Sequence, residues 1–296
     1  MSFPYIGENR ELNEITRKGA SSGAFISLSG GITHYEIGGP ENGQVVVLIH
    51  GFSVPYFIYD PTFEFLTAEG FRVLRYDLFG RGWSDRPRVK YDIQLFVKQL
   101  ADLLDALQLK QVNLIGLSMG GPISTAFVDQ YPERVLRQVL IDPAGAKDIE
   151  LSRILEALKL PLIGELALGL FGRESVVKSI ASDLFDPELV DAFRSKYVVQ
   201  LQFKGFRRAI LSTMRNGVID SFFEVYQRVG KLRKPTLLIW GREDTTVPYD
   251  HNEVIRSAMP QAEFHPIENC GHIPHFEKPE IINPLLKRFL KANAQK

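Results

Sequence analysis

Residues 116–120 read Gly-Leu-Ser-Met-Gly, a G-x-S-x-G pattern centred on Ser118. A serine hydroxyl is a poor nucleophile. It must be held in the open and lose its proton as it attacks. A sharp strand-to-helix turn achieves the exposure by lifting the side chain above a sheet, and flanking glycines leave room where strand and helix nearly touch. The pattern alone is weak: about one chain in ten of this length would carry it by chance. Its setting gives it weight. An apolar run, Val112–Leu117, leads into Ser118, and Pro122 near the first turn of the following segment suits a helix start.

Attack on a carbonyl builds charge on its oxygen, which needs donors aimed at it. The Met119 amide, directly after the serine, is one candidate. The second is expected from the loop His50-Gly-Phe-Ser53, with the Phe52 amide as donor and Gly51 permitting close backbone approach. Gly51 and Ser53, the latter through its hydroxyl, are also candidate substrate contacts. The base is sought among six histidines, His34, His50, His251, His265, His272 and His275. It must lie on a loop past a strand end, late in the chain. His272 does so, in Glu268-Asn-Cys-Gly-His272, with His275 as the alternative at the entry to the last helix. The orienting acid is Asp244, after the strand and turn of Leu237-Leu-Ile-Trp-Gly-Arg-Glu-Asp244, with Asp142 at another strand end as its rival. Such an acid fixes the imidazole tautomer while staying ionised.

These residues need a scaffold that brings distant loops to one edge. Short strands are expected at Phe25–Ser29 and Thr33–Ile37, and a polar lead-in helix around Glu8–Arg17. Val45–Ile49 is apolar throughout, as in a strand covered on both faces. From there strands alternate with helices: a helix at 58–69, strand Arg72–Tyr76, helix 92–107, strand Gln111–Leu117, helix 119–130 and strand Leu136–Ile141. The rhythm resumes with strands Thr236–Trp240 and Glu263–Ile267 and a helix at 279–292. The pattern predicts an α/β fold, a mostly parallel doubly wound sheet. Residues 144–231 break the rhythm with helical patterns only. They are expected to form a helical cap inserted between core parts 1–143 and 232–296, since the ligand crevice of an open sheet lies at the strand C-termini.

Composition narrows the field. The 296 residues are 45% hydrophobic, and 35 basic residues balance 35 acidic ones. Zero net charge provides no overall field for nucleic acid or an acidic membrane. The single cysteine, Cys270, excludes an intrachain disulfide. No signal-type or spanning apolar run is visible, so the expected location is cytoplasmic, without stable membrane insertion. No metal-ligand pattern, P-loop or dinucleotide fingerprint occurs, so neither metal nor cofactor is expected. The expected assembly is a monomer or a homodimer, acting on a small-molecule substrate.

In order along the chain, His50-Gly-Phe, Asp77-Leu-Phe-Gly-Arg-Gly-Trp-Ser-Asp-Arg-Pro87, Gly116-Leu-Ser-Met-Gly-Gly121, Gly241-Arg-Glu-Asp244 and Gly271-His272 with Pro274 resemble the α/β-hydrolase family with a helical cap. The resemblance covers nearly the whole chain beyond its first ~25 residues and the cap. It implies a Ser118–Asp244–His272 triad and no cofactor. Serine at the elbow departs from the dehalogenase and epoxide hydrolase branches. Leu117, where the C–C hydrolases of meta-cleavage products typically have Asn, and few glycines after His50 tilt the resemblance toward esterases, including monoacylglycerol-lipase-like enzymes. The expected substrate is a small or medium apolar carboxylic ester. C–C bond hydrolysis, with Lys204, Arg207 or Arg208 binding a substrate carboxylate, is the alternative, and cofactor-free perhydrolases share the same residues. A non-catalytic binding protein of this fold is a third reading, against which the intact residue set stands. The apolar Leu151–Phe171 stretch and Phe203, Phe206, Phe222 and Phe223 are candidates for an acyl pocket or for the cap's own core.

Overall fold

A computed structural model describes residues 5–148, 157–170 and 182–292. Eight strands form one sheet: β1 (Ala24–Leu28), β2 (Gly31–Gly38), β3 (Val45–Ile49), β4 (Arg72–Tyr76), β5 (Val112–Leu117), β6 (Val135–Ile141), β7 (Thr236–Gly241) and β8 (Glu263–Ile267). Their order is β1-β2-β4-β3-β5-β6-β7-β8. The β1–β2 and β2–β4 pairings are antiparallel and all others parallel. The reversal from β4 to β3 and on to β5 puts the loops after β3 and β5 side by side at the C-terminal edge, where such a sheet binds its ligand.

The central strands are apolar on both faces because both faces are covered. Along β3, Val47 and Ile49 join one core with Phe96, Leu100, Leu103 and Leu104 of helix Ile93–Ala106. Val46 and Leu48 join the opposite core with Leu66, Leu286 and Leu290. The two-residue period of the strand thus splits one apolar run between two layers. Each fully buried side chain of this size contributes about 1.5–3 kcal/mol. The helix Ile93–Ala106 begins where the Asp92 carboxylate accepts the Leu95 amide at 3.1 Å, an N-cap.

Between β6 and β7 the described residues contain helices and no strand: Ile163–Leu170, Val190–Tyr197, Phe206–Arg215 and Phe223–Lys231. Of the apolar Leu151–Phe171 stretch, residues 151–156 and 171 lie outside the described residues. In the described part Leu160, Leu162, Ile163 and Leu166 are exposed, so those four do not line a closed acyl pocket.

The N-terminal segment differs from expectation. Its helix is one turn, Glu14–Arg17, started by Asn13, whose side chain accepts the Thr16 amide while Thr16 Oγ1 accepts the Asn13 amide. Upstream, Glu8 is buried. Its carboxylate accepts the Gly205 amide at 2.7 Å and the Arg207 amide at 2.8 Å at the start of helix Phe206–Arg215. Glu8 therefore serves a tertiary contact and not a helical turn. Helix His251–Ala258 has no counterpart among the expected elements; it is short, and Val254, Ile255 and Ala258 are the apolar residues it packs on the core. Among the described residues no helix is long and apolar enough to cross a membrane.

Candidate active site

Ser118 sits between the end of β5 and helix Gly120–Gln130 with φ 51°, in the left-handed region. Such a conformation costs a non-glycine residue about 1–3 kcal/mol, which the surroundings must offset. Three backbone bonds hold it. The Ser118 amide donates to the Ile141 carbonyl at 2.9 Å, and the Ser118 carbonyl accepts the Gly121 and Ala144 amides. Its side chain carries no hydrogen bond among the described residues. The flanking glycines are required by space. A Cβ on Gly120 would stand 2.2 Å from the Ile49 carbonyl oxygen, and one on Gly116 2.3 Å from the Gly120 carbonyl oxygen. Backbone cannot yield as a side-chain tip can. Gly120→Ala is therefore expected to lose at least about 3 kcal/mol, beyond ordinary overpacking. A urea-denaturation midpoint equal to that of the wild type would contradict this.

The loop after β3 lies against Ser118. A Cβ on Gly51 would lie 3.2 Å from Ser118 Cβ, so this backbone packs directly on the serine. Among the described residues neither the Phe52 nor the Met119 amide donates to a protein acceptor. The amides of Phe52, next to Gly51, and of Met119, at a helix N-terminus, are thus unbonded. His50 is a strut. Its Nδ1 donates to the Gly51 carbonyl and its Nε2 accepts the Leu78 amide, both at 2.9 Å. Burial lowers its pKa to about 4, so it stays neutral.

Two residues not singled out in the sequence fix the same loop. Arg81 donates through Nε to the Phe52 carbonyl at 2.8 Å and through Nη2 to Thr213 Oγ1 at 3.0 Å. Burial lowers its pKa to about 10, and it remains a cation at neutral pH. Gln200, from the segment between β6 and β7, donates to the Ser53 carbonyl at 2.8 Å and accepts the Gly82 amide at 2.9 Å. Arg81 lies inside the Asp77–Pro87 motif, which was the available signal; a lone glutamine in a helical block carries none. Ser53 thus meets that segment through its carbonyl. Within that motif the Asp77 carboxylate accepts the Tyr56 and Trp83 amides and pairs with His34 Nδ1 at 2.8 Å. Burial opposes its charge, but the His34 contact and the Trp83 amide outweigh burial and hold its pKa low.

On the loop after β8, His272 Nδ1 lies 2.7 Å from Asp244 Oδ2, and both side chains are buried. Asp244 Oδ1 accepts the Thr246 amide at 2.8 Å and the Val247 amide at 2.9 Å. With Nδ1 engaged, Nε2 is the nitrogen free to take a proton. Burial opposes the imidazolium, yet the Asp244 charge, aided by Asp183 and Glu277, raises the His272 pKa above its usual value. Glu243 points elsewhere and accepts the Cys270 amide. Asp142, the rival acid, is not bonded to His272; its Oδ1 accepts the Gly241 amide at 2.9 Å. His275, the rival base, is fully buried, stacked on Tyr59 with ring centroids 4.4 Å apart, and burial lowers its pKa to about 3. Asp142, Asp244 and His272 hold potential ligand atoms within 4.8 Å of one another, but Asp244 and His272 already satisfy each other.

Glu277 and Asp183 were also missed. The Glu277 carboxylate accepts the Gly271, Phe185 and Asp186 amides. The Asp183 carbonyl accepts the His272 amide at 2.9 Å. Together they tie the loop of His272 to residues 183–186, between β6 and β7. A cavity of about 350 Å³ lies where Tyr56, Phe57 and Trp83 meet Gln200 and Phe203, and neither Ser118 nor His272 lines it. Phe206 is buried against Tyr197, and Phe222 and Phe223 pack on the core, so of the four candidate phenylalanines only Phe203 faces that cavity.

The cations considered for a substrate carboxylate are engaged. Lys204 pairs with Glu11 at 2.6 Å, Arg207 is buried against Glu8, and Arg208 donates to the Arg86 and Pro87 carbonyls.

The chain is similar to known hydrolases over nearly its whole length. It is 29% identical to the 2-hydroxy-6-oxo-2,4-heptadienoate hydrolase of Pseudomonas putida, covering 94% of this chain and 99% of that protein. A meta-cleavage product hydrolase from Pseudomonas fluorescens IP01 superposes with TM-score 0.75 at 27% identity, covering 90% of this chain and 97% of that one. An esterase from Exiguobacterium antarcticum superposes with TM-score 0.78 at 21% identity, covering 92% and 100%, a likeness of fold. The alpha/beta hydrolase fold family matches residues 44–279. The parallel sheet, the elbow between β5 and its helix and this match together make the chain a member of the α/β-hydrolase family.

Proposed function

We propose that the protein is a serine hydrolase that cleaves a small or medium-sized carboxylic ester through an acyl-enzyme on Ser118. The observation that carries this is the His272–Asp244 bond of 2.7 Å at the edge where Ser118 stands between two unbonded amides. Ser118 Oγ attacks the ester carbonyl carbon while His272 Nε2 takes its proton. The Phe52 and Met119 amides hold the oxyanion. As the tetrahedral intermediate collapses, His272 returns the proton to the departing alcohol. A water then gives a proton to His272 as it attacks the acyl carbon, and on collapse of this second intermediate the C–Oγ bond breaks and His272 returns the proton to Ser118 Oγ, releasing the acid.

Electrostatics favours an uncharged substrate. Of the cations weighed for a substrate carboxylate, Lys204 and Arg207 already pair with Glu11 and Glu8 and Arg208 is engaged by backbone carbonyls, while Asp183 and Glu277 add negative charge beside the histidine. The second reading, C–C hydrolysis of a dienoic acid, draws on the near full-length similarity to the Pseudomonas putida enzyme. A p-nitrophenyl ester series from acetate to long chains, run beside a 2-hydroxy-6-oxo-dienoate, separates the two. Turnover of short and medium esters with little on the dienoate is expected. Turnover of the dienoate alone would reverse the choice.

The pH profile follows from the base. Neutral His272 is the active form, and its pKa is raised, so kcat/KM is expected to fall about tenfold per pH unit below an acid limb lying above 6.5. An acid limb well below 6.5 in the ester assay would contradict this assignment.

A further inference from the structure

Asp142 leaves β6 at φ 41°, the left-handed region, in a fully buried position. One carboxyl oxygen, Oδ1, accepts the Gly241 amide; the other, Oδ2, has no hydrogen-bond partner if the group is read as an acceptor only. A buried, unpartnered carboxylate oxygen is costly. The titratable groups facing it among the described residues are Asp244 from the loop after β7, Cys270 and His272 from the loop after β8, and Glu277 from the short helix Pro274–Glu277 that follows, none of them a lysine or arginine. The neighbouring Asp244 uses Oδ1 for two amides and Oδ2 for His272, so it has lone pairs to share but no proton.

We propose that Asp142 is a positioning residue that donates its carboxyl proton from Oδ2 to the Asp244 carboxylate, completing a chain Asp142–Asp244–His272. Burial and the Asp244 charge both raise the Asp142 pKa well above the ordinary carboxylate value, in agreement with this. The consequence is specific. A donated hydrogen bond withdraws charge from Asp244 and restrains its pull on the His272 proton. Asp142 thereby limits how far the histidine's basicity climbs and keeps Asp244 from rotating away from Nδ1. The proton stays on Asp142 throughout the reaction, and no bond is made or broken there.

The idea rests on the triad reading, so its test carries a separate control. Wild type, Asp142→Asn and Asp142→Ala are titrated by following the downfield Nδ1 proton of His272 in the full chain by NMR, identified by its loss in His272→Ala. Asparagine keeps a neutral donor for Asp244 and an acceptor for Gly241, and it tolerates positive φ. Asp142→Asn is expected to titrate with the wild type. Asp142→Ala should titrate about half a pH unit or more higher, with the acid limb of fluorophosphonate labelling moving with it. A downward shift in Asp142→Asn overturns the proposal, because it means a second carboxylate charge was removed. Coincident titrations for wild type and Asp142→Ala overturn it as well. Should the alanine variant not fold, the asparagine titration decides alone. Failure of the wild type to label at Ser118 would instead strike the triad reading.

Discussion

Replacing Ser118 with alanine is expected to lower kcat on any ester the protein hydrolyses by on the order of 10⁶-fold, with KM little changed. The serine, histidine and acid act as a unit, so loss of the nucleophile removes nearly all that the three supply. The substitution suits the structure. Among the described residues Ser118 Oγ has no hydrogen bond to orphan, and alanine inherits the same φ of 51° with no larger side chain. Stability is thus expected to stay within about 1 kcal/mol of wild type. The kinetic loss then reports chemistry and not unfolding, as melting curves recorded beside the assay will verify. A variant that keeps more than a few per cent of activity would remove Ser118 from the reaction.

Asp244→Asn is the second large effect, about 10⁴-fold in kcat. The reason lies in how Asp244 is held. Two backbone amides, Thr246 and Val247, donate to Oδ1 and fix which side of the carboxylate faces them. An asparagine must present its oxygen to those amides, which turns its NH₂ toward His272 Nδ1. The imidazole then keeps its proton on Nε2, where the serine's proton has to go. Asp244→Ala differs in kind. It strands two amides that Asp244 had satisfied, at about 1–3 kcal/mol each, so it should lower the melting temperature as well as kcat. Steady-state kinetics on both variants, with melting curves, separates tautomer from stability. Equal kcat for Asp244→Asn and wild type would reassign the acid.

The sheet was readable because its period and punctuation are local. β3, β4 and β8 fall where apolar runs and turn residues place them, and the elbow glycines mark a steric need that no other residue meets. The His272 and Asp244 positions were legible for a related reason: each follows a strand and a glycine turn. Other features depend on contacts between distant segments. Glu8 lies in a polar lead-in that reads as helix, yet it is used by amides at 205 and 207. The Gln200 and Glu277 side chains hold the loops of Phe52 and His272 by bonding backbone groups far away in the chain. The Asp142–Asp244 contact depends on β6 and β7 being neighbours, an outcome of sheet order that no local pattern carries. Phe206, Phe222 and Phe223 show the same limit between β6 and β7, where an aromatic at helical spacing packs inward or lines a pocket by the same local signal.

Everything chemical in this account turns on Ser118 being an activated nucleophile. Incubation of the intact protein with a fluorophosphonate, followed by peptide mass spectrometry, tests that directly. One adduct per chain is expected, on Ser118 in the segment Val112–Gly121, with labelling lost in Ser118→Ala and strongly slowed in Asp244→Asn. No adduct on the folded wild type, or an adduct on another residue, would contradict it.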